Sequence, residues 1–184
     1  RKILMQAEHL SDLGFAEESA LLLSYADDVL PGDTTNREGH AAKVYFNSIF
    51  GKTNSRRTES YENRCLNYGY AVLLSAFNRE VVACGYLTQL GIWHHNDCNR
   101  FNLSCDLMEP LRVVVDRKML QLKEGESNFK REMTEILNAQ AESAGRKTTL
   151  DLAIRNYVRS ALAVLRGDGD EIYFPERIRF AYES

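Results

Sequence analysis

Apolar residues between Arg1 and Ala26 recur three and four positions apart, as in Leu10 and Leu13 and again in Ala20, Leu21 and Tyr25. Gly14 interrupts the pattern and Leu30-Pro31-Gly32-Asp33 ends it, so the spacing predicts two helices. A third begins at Thr34 or Thr35, carries the stripe Ala41, Ala42, Tyr45, Phe46, Ile49 and Phe50, and stops at Gly51. Residues 51–63 are polar and aperiodic and predict a surface loop. From Asn63 to Ala83 apolar residues (Leu66, Tyr70, Leu73, Leu74, Phe77, Val81) lie on more than one face, as expected of a central core helix. Residues 85–101 are irregular, and helical spacing resumes from Leu103 to Leu122, with Pro110 placing a helix start or kink inside it. Two charged helices are predicted over about Ser127–Glu142 and Thr149–Arg166, with Gly145 between them. The alternating tail Ile172–Tyr182 predicts a strand or an extended arm. The expectation is an all-α domain over residues 1–166 with a C-terminal arm over 167–184.

Composition narrows the class. With 184 residues, 44% hydrophobic and 27% charged, the chain suits one mid-sized domain and excludes disorder, collagen and pure coiled coil. No apolar run approaches the roughly 18 residues a membrane span needs, so a soluble protein is expected. The four cysteines (Cys65, Cys84, Cys98, Cys105) form no Cys-x-x-Cys pair, which predicts free thiols in a reducing cytoplasm. A net charge of -3 means that any nucleic-acid contact depends on local clustering of cations. The chain opens on Arg1 within a helical pattern and is read as a fragment lacking its own N-terminus.

Three patches carry candidate chemistry. Glu38 stands three after Thr35, which fits a capping box returning a hydrogen bond to the helix start. Alternatively, Glu38 shares the stripe of Ala41, Ala42 and Tyr45, where a carboxylate calls for a cationic partner. His94 and His95 are adjacent in the irregular segment, and adjacent side chains diverge, so at most one serves a given ion. Asp106 and Glu109 are three apart on one helix face, a spacing that solvated helices also show. Two carboxylates and one imidazole form a hard oxygen and nitrogen set suited to Mg²⁺ or Mn²⁺. The chain has no Glu-x-x-His pair for a di-iron bundle, no His-Glu-x-x-His, no Gly-x-Ser-x-Gly, and no phosphate loop, since Phe46 stands five before Gly51.

The strings Glu38-Gly39-His40-Ala41-Ala42-Lys43-Val44-Tyr45-Phe46, Leu66-Asn67-Tyr68-Gly69-Tyr70-Ala71, Leu90-Gly91-Ile92-Trp93-His94-His95-Asn96 and Asp106-Leu107-Met108-Glu109-Pro110-Leu111-Arg112, in this order, resemble the CRISPR adaptation integrase, and its type II branch in particular. The resemblance spans about Glu38 to Asp116 and covers that family's helical catalytic domain, its N-terminal β-domain being missing from this chain. It implies that Glu38, His94 and Glu109 are the catalytic and metal-binding residues, holding Mg²⁺ or Mn²⁺, with Asp106 auxiliary to them. His94 is chosen over His95 because it stands three after Gly91. The implied activity is that of a metal-dependent DNA endonuclease and integrase for spacer acquisition in antiviral defence. A 3′-hydroxyl of a captured foreign duplex attacks the CRISPR repeat by transesterification, with no covalent protein nucleophile.

The implied partners are the foreign double-stranded DNA fragment, repeat DNA, a second copy forming a homodimer in the full-length protein, and a small ferredoxin-like adaptation protein. As a ligand His94 must be neutral, so activity is expected to fall as acid protonates it. Lys52, Arg56, Arg57, Arg64, Arg112, Arg117 and Lys118 are expected to contact phosphates. The rival reading is a helical DNA-binding or scaffolding module without activity.

Overall fold

A computed structural model describes residues 1–51, 58–123 and 128–180. The chain divides into two compact units, Arg1–Asn63 and Arg64–Ser184.

The first unit holds α1 (Lys2–Asp12), α2 (Ala16–Asp27) and α3 (Arg37–Phe50). The two expected breaks, at Gly14 and at Pro31-Gly32, are where the chain turns, and both glycines have positive φ. The core takes Leu10, Leu22, Ala41 and Tyr45, while Leu13 and Leu21 of the predicted stripes point outward. Within it the His9 ring nitrogen Nδ1 and the Tyr45 hydroxyl form a buried pair 2.7 Å apart. Ser19 Oγ donates to the Ala7 carbonyl at 2.8 Å, tying α2 to α1.

The second unit is built around α4 (Tyr61–Ala83), whose body lies in it and whose Leu66, Leu73, Phe77 and Val81 are fully buried, as expected of a central helix. Gly69 permits its close packing: a Cβ there would collide with Val115 and lie 2.9 Å from the Met133 sulfur. After the irregular segment come α5 (Asn102–Met108), a 3-10 turn (Glu109–Leu111) and α6 (Arg112–Leu120), so Pro110 does interrupt the helix. Then follow α7 (Phe129–Thr134) and a 3-10 turn (Glu135–Asn138).

The helix expected up to Glu142 stops short of it. Residues 140–149 instead make a hairpin of β1 (Gln140–Ser143) and β2 (Arg146–Thr149). Its two-residue turn, Ala144-Gly145, has positive φ at both positions, as a tight hairpin matching strand twist requires. β3 (Glu176–Arg179), within the C-terminal arm, pairs antiparallel with β1 and gives the strand order β2-β1-β3. Between hairpin and arm runs α8 (Leu150–Arg166), capped by the Thr149 hydroxyl and closed by left-handed Gly167. Tyr157 on α8 meets Phe77 edge-on at 6.1 Å and Phe174 at 5.1 Å.

The small sheet is an addition to an all-α body. Among the described residues no helix is long and apolar enough to cross a membrane, and all four cysteines are free thiols.

Candidate functional site

The irregular segment 85–101 is held to α5 by a few polar side chains. Asp106 accepts hydrogen bonds from the backbone N–H groups of Ile92 (2.6 Å), Trp93 (2.9 Å) and His94 (3.1 Å) and from the His94 ring at Nδ1. Gly91 makes this wrap possible, because a Cβ there would strike the His94 carbonyl oxygen and come within 2.9 Å of Asp106 Oδ2. Asn102, buried at the start of α5, donates to the carbonyls of Gln89 (3.1 Å) and Asn96 (3.0 Å). Thr88 Oγ1 donates to the Arg100 carbonyl at 2.7 Å. A segment without helix or strand thus has several of its backbone groups satisfied by side chains.

The Asp106 side chain is 7% exposed. Burial opposes its ionisation, but the Trp93 N–H, the His94 ring and the further N–H groups of His94 and Ile92 outweigh it, and its carboxyl sits below the ordinary value. An ionised Asp106 can only accept, so the His94 Nδ1 that meets it carries the proton. In the neutral imidazole this leaves the Nε2 lone pair available, the arrangement by which a carboxylate orients a metal-ligating histidine. The His94 side chain is 40% exposed. His95 is exposed and does not share this carboxylate.

Glu109 opens the 3-10 turn one step beyond α5. Its carboxylate meets Arg112 Nη2 at 2.9 Å, and the Arg112 guanidinium lies 5.3 Å over the Tyr70 ring. The Tyr70 hydroxyl donates to Asp116, a buried carboxylate. The two acids of the Asp-Leu-Met-Glu string therefore have different tasks: Asp106 folds the segment around His94, and Glu109 pairs with a cation.

Glu38 lies in the first turn of α3, in the first unit. The expected Thr35–Glu38 capping box is not formed. Asp33 caps the helix instead, accepting from the N–H groups of Arg37 (2.7 Å) and Glu38 (3.0 Å), and Asn36 turns the chain with a left-handed backbone. The Glu38 carboxylate, relieved of capping, is 46% exposed rather than facing the core, and it meets Lys2 Nζ at 3.4 Å. Of the candidate residues, His94 and Asp106 touch and Glu109 follows one turn later in the same unit. Within neither unit, among the described residues, do three His, Cys, Asp or Glu side chains stand together closely enough to hold an ion.

One expected phosphate contact is overturned. Lys118 is 3% exposed, bonds Glu132 at 2.8 Å and lies 5.5 Å over Phe180, so its charge is spent inside the fold. Arg117 donates to the Ile178 carbonyl at 3.1 Å and holds β3. Arg64 is exposed, and Lys52, Arg56 and Arg57 lie outside the described residues. Asp33 and Asn102 were not singled out in the sequence; the turn residues before α3 and the Asn at the start of α5 were the available signals.

A family model described as "CRISPR associated protein Cas1" matches residues 32–152. "CRISPR-associated endonuclease Cas1" of Neisseria meningitidis serogroup C (strain 8013) is 39% identical over 134 residues, 73% of this chain and 44% of that protein. "CRISPR-associated endonuclease Cas1 1" of Francisella tularensis subsp. novicida (strain U112) is 33% identical over 106 residues, 52% of this chain and 33% of that protein. The chain thus spans less than half the length of these curated relatives. Among solved structures, a casposase bound to integration product superposes over 94% of this chain and 64% of its own, with a TM-score of 0.73 and 19% identity. A chain of a Cas6-RT-Cas1–Cas2 complex superposes over 94% of this chain and 24% of its own, with a TM-score of 0.68 and 16% identity. At such identities these two establish the fold alone.

Proposed function

Because the chain belongs to the CRISPR-associated Cas1 family, we propose that it is the catalytic portion of a divalent-metal-dependent DNA integrase and endonuclease of the type II branch, acting in spacer acquisition. The observation that carries the reading is the Asp106–His94 pair, which keeps one imidazole nitrogen protonated and leaves the other as a donor.

Glu38, His94 and Glu109 are the residues that would hold Mg²⁺ or Mn²⁺, and their oxygen and nitrogen donors suit such an ion. Once bound, the ion supplies Lewis-acid polarisation of a scissile phosphodiester and lowers the pKa of an attacking hydroxyl. Asp106 orients the imidazole. Glu38 meets Lys2 and Glu109 meets Arg112, so each carboxylate would have to exchange that partner to hold the ion. No side chain is needed as a covalent nucleophile, since the 3′-hydroxyl of the DNA to be inserted attacks directly.

The proposed substrates are a foreign duplex fragment and CRISPR repeat DNA, and the proposed partners are a second copy of the full-length protein and a small ferredoxin-like adaptation protein, in a cytoplasmic setting. The Cas6-RT-Cas1–Cas2 complex among the fold relatives supports a partner of that class.

The test is strand transfer of a duplex with 3′-hydroxyl ends into a repeat-containing plasmid, with Mn²⁺ and with chelator. Wild type is expected to join the fragment only with the metal, and Glu38→Ala, His94→Ala and Glu109→Ala to lose at least about a hundredfold. Equal activity in all four proteins rejects the metal assignment. Metal-independent DNA binding without transfer in any of them leaves the inactive scaffolding module.

A further inference from the structure

We propose that the outward face of the β2-β1-β3 sheet is a second, metal-independent contact surface for the phosphate backbone of duplex DNA. That the ligand is DNA rests on the function proposed above; that the ligand is a phosphate rests on the sheet itself.

Residues in register share a sheet face, so Gln140 and Glu142 of β1 look out with Lys147 of β2 and Arg179 of β3, while Ala141, Ser143 and Ile178 look inward and are buried. Between Gln140 and Glu142 the pairing with β3 slips by one residue, and Arg177 is the extra residue, with a left-handed backbone at φ 47°. A bulge of this kind re-aims a side chain, and a long cationic residue is a costly choice where glycine would be strain-free. Here it brings Arg177 into the same hollow as Lys147 and Arg179, along with Gln140, Ala141 and Glu142.

The hollow holds about 280 Å³, several times the roughly 30 Å³ share of a water molecule, so a phosphate group enters with its solvent. Its charges are three cations against the carboxylate of Glu142, with Glu176 next to Glu142 in register, in a chain whose net charge is -3. Both Glu142 carboxylate oxygens lie 3.2 Å from Arg177 Nη1, which leaves the rest of the guanidinium facing the hollow's opening. Lys147 and Arg179 are exposed and have no partner among the described residues. The contrast with Lys118 is direct: that cation is buried against Glu132, and the sheet turns its own cations outward. Backbone contact, with no reading of base edges, is what such a set of exposed cations can provide.

The test is binding of a fluorescent duplex of about thirty base pairs to the whole chain in chelator, across a salt series, so that the ion proposed above plays no part. Each phosphate contact contributes a slope of about 0.9 in log K against log salt. Lys147→Gln with Arg179→Gln is expected to flatten the slope by about 1.8 and to weaken binding on the order of tenfold per lost contact, with an unchanged melting temperature. Glu142→Gln, which frees Arg177, is expected to tighten binding.

Arg159→Gln with Arg166→Gln removes the same charge from exposed positions on α8 and is expected to leave the slope alone. An unchanged slope in the sheet variant, an equal loss in the α8 control, or weaker binding by Glu142→Gln overturns the sheet surface and leaves the integrase reading intact. A wild-type chain that binds no duplex in chelator likewise overturns the sheet surface, while failure of strand transfer with Mn²⁺ is what overturns the integrase reading. A sheet variant defective in binding beside Glu38→Ala and Glu109→Ala proteins that bind normally supports the sheet alone.

Discussion

Replacing Asp106 by Asn keeps the shape of the side chain and reverses one of its two ends. As a carboxylate it meets four donors: three backbone N–H groups and the His94 ring. If the new amide oxygen stays with Ile92 and Trp93, its NH₂ faces His94 Nδ1, where two donors would collide. The conflict is relieved when the imidazole proton moves to Nε2, and the lone pair then points back into the protein. The fold would survive and the ligand would not. Charge-assisted hydrogen bonds contribute about 1.5–3 kcal/mol each, so losing one and weakening the others should cost about 2 kcal/mol of local stability. At 1.36 kcal/mol per decade, that makes amide exchange at residues 92–94 about thirtyfold faster.

Two measurements check this. The ¹⁵N shifts of the His94 ring should change from the Nδ1–H to the Nε2–H pattern, and hydrogen exchange should quicken at those amides while α4 and α8 keep their protection. Trp93, the only tryptophan, reports the same segment by fluorescence. Unchanged ring shifts with unchanged exchange would refute the argument that Asp106 sets the tautomer. The pH dependence follows with its sign. Because the folded carboxyl lies below its ordinary value, its contribution is complete above about 3.9 and is lost as pH falls through the lower, folded value. Protection at Ile92–His94, corrected for intrinsic exchange, should therefore hold from neutrality down to about pH 5 and fail only in stronger acid.

Other consequences are simpler to measure. Gly69→Ala forces a methyl into Val115 and against Met133, and should cost about 1–3 kcal/mol in a urea melt; an unchanged midpoint would mean α4 has room there. Asp33→Ala removes the cap that accepts from Arg37 and Glu38, at a cost of about 0.5–2 kcal/mol, whereas Thr35→Ala should be nearly silent; the reverse ranking would restore the capping box. Burial pushes the Tyr157 hydroxyl up to about 12, so its contribution is complete below the ordinary value near 10 and drains away as pH rises between the two. Tyr157→Phe should remove that share of the alkaline loss, and melts at a series of pH values from 9 to about 11.5 that ran parallel for both proteins would contradict it.

The helical body was open to inspection in the sequence because burying one face of a helix imposes a period of three to four residues. The stripes around Leu10, Ala41 and Tyr45, and around Leu66, Leu73 and Phe77, face inward, and the breaks at Gly14, Pro31 and Pro110 interrupt helices. Motif spacing also marked Gly91, whose hydrogen-only side chain proves to be what lets the chain close around Asp106.

What the linear pattern did not contain were choices made between distant residues. The stretch 140–149 turns at Ala-Gly instead of the stronger Asn-Gly or Asp-Gly, and residues 140–142 continue the helical reading from Ser127. Pairing of β1 with β3, some 35 residues onward, is what makes it a strand. Asp106 and Glu109 look equivalent three apart on a helix, and Arg117 and Lys118 look like any exposed cations. Only folding shows that one acid is enclosed by the backbone it organises while the other meets Arg112, and that Lys118 is enclosed beside Glu132. Local period reports which residues avoid water, but the partner of a charge is decided by what the rest of the chain brings to it.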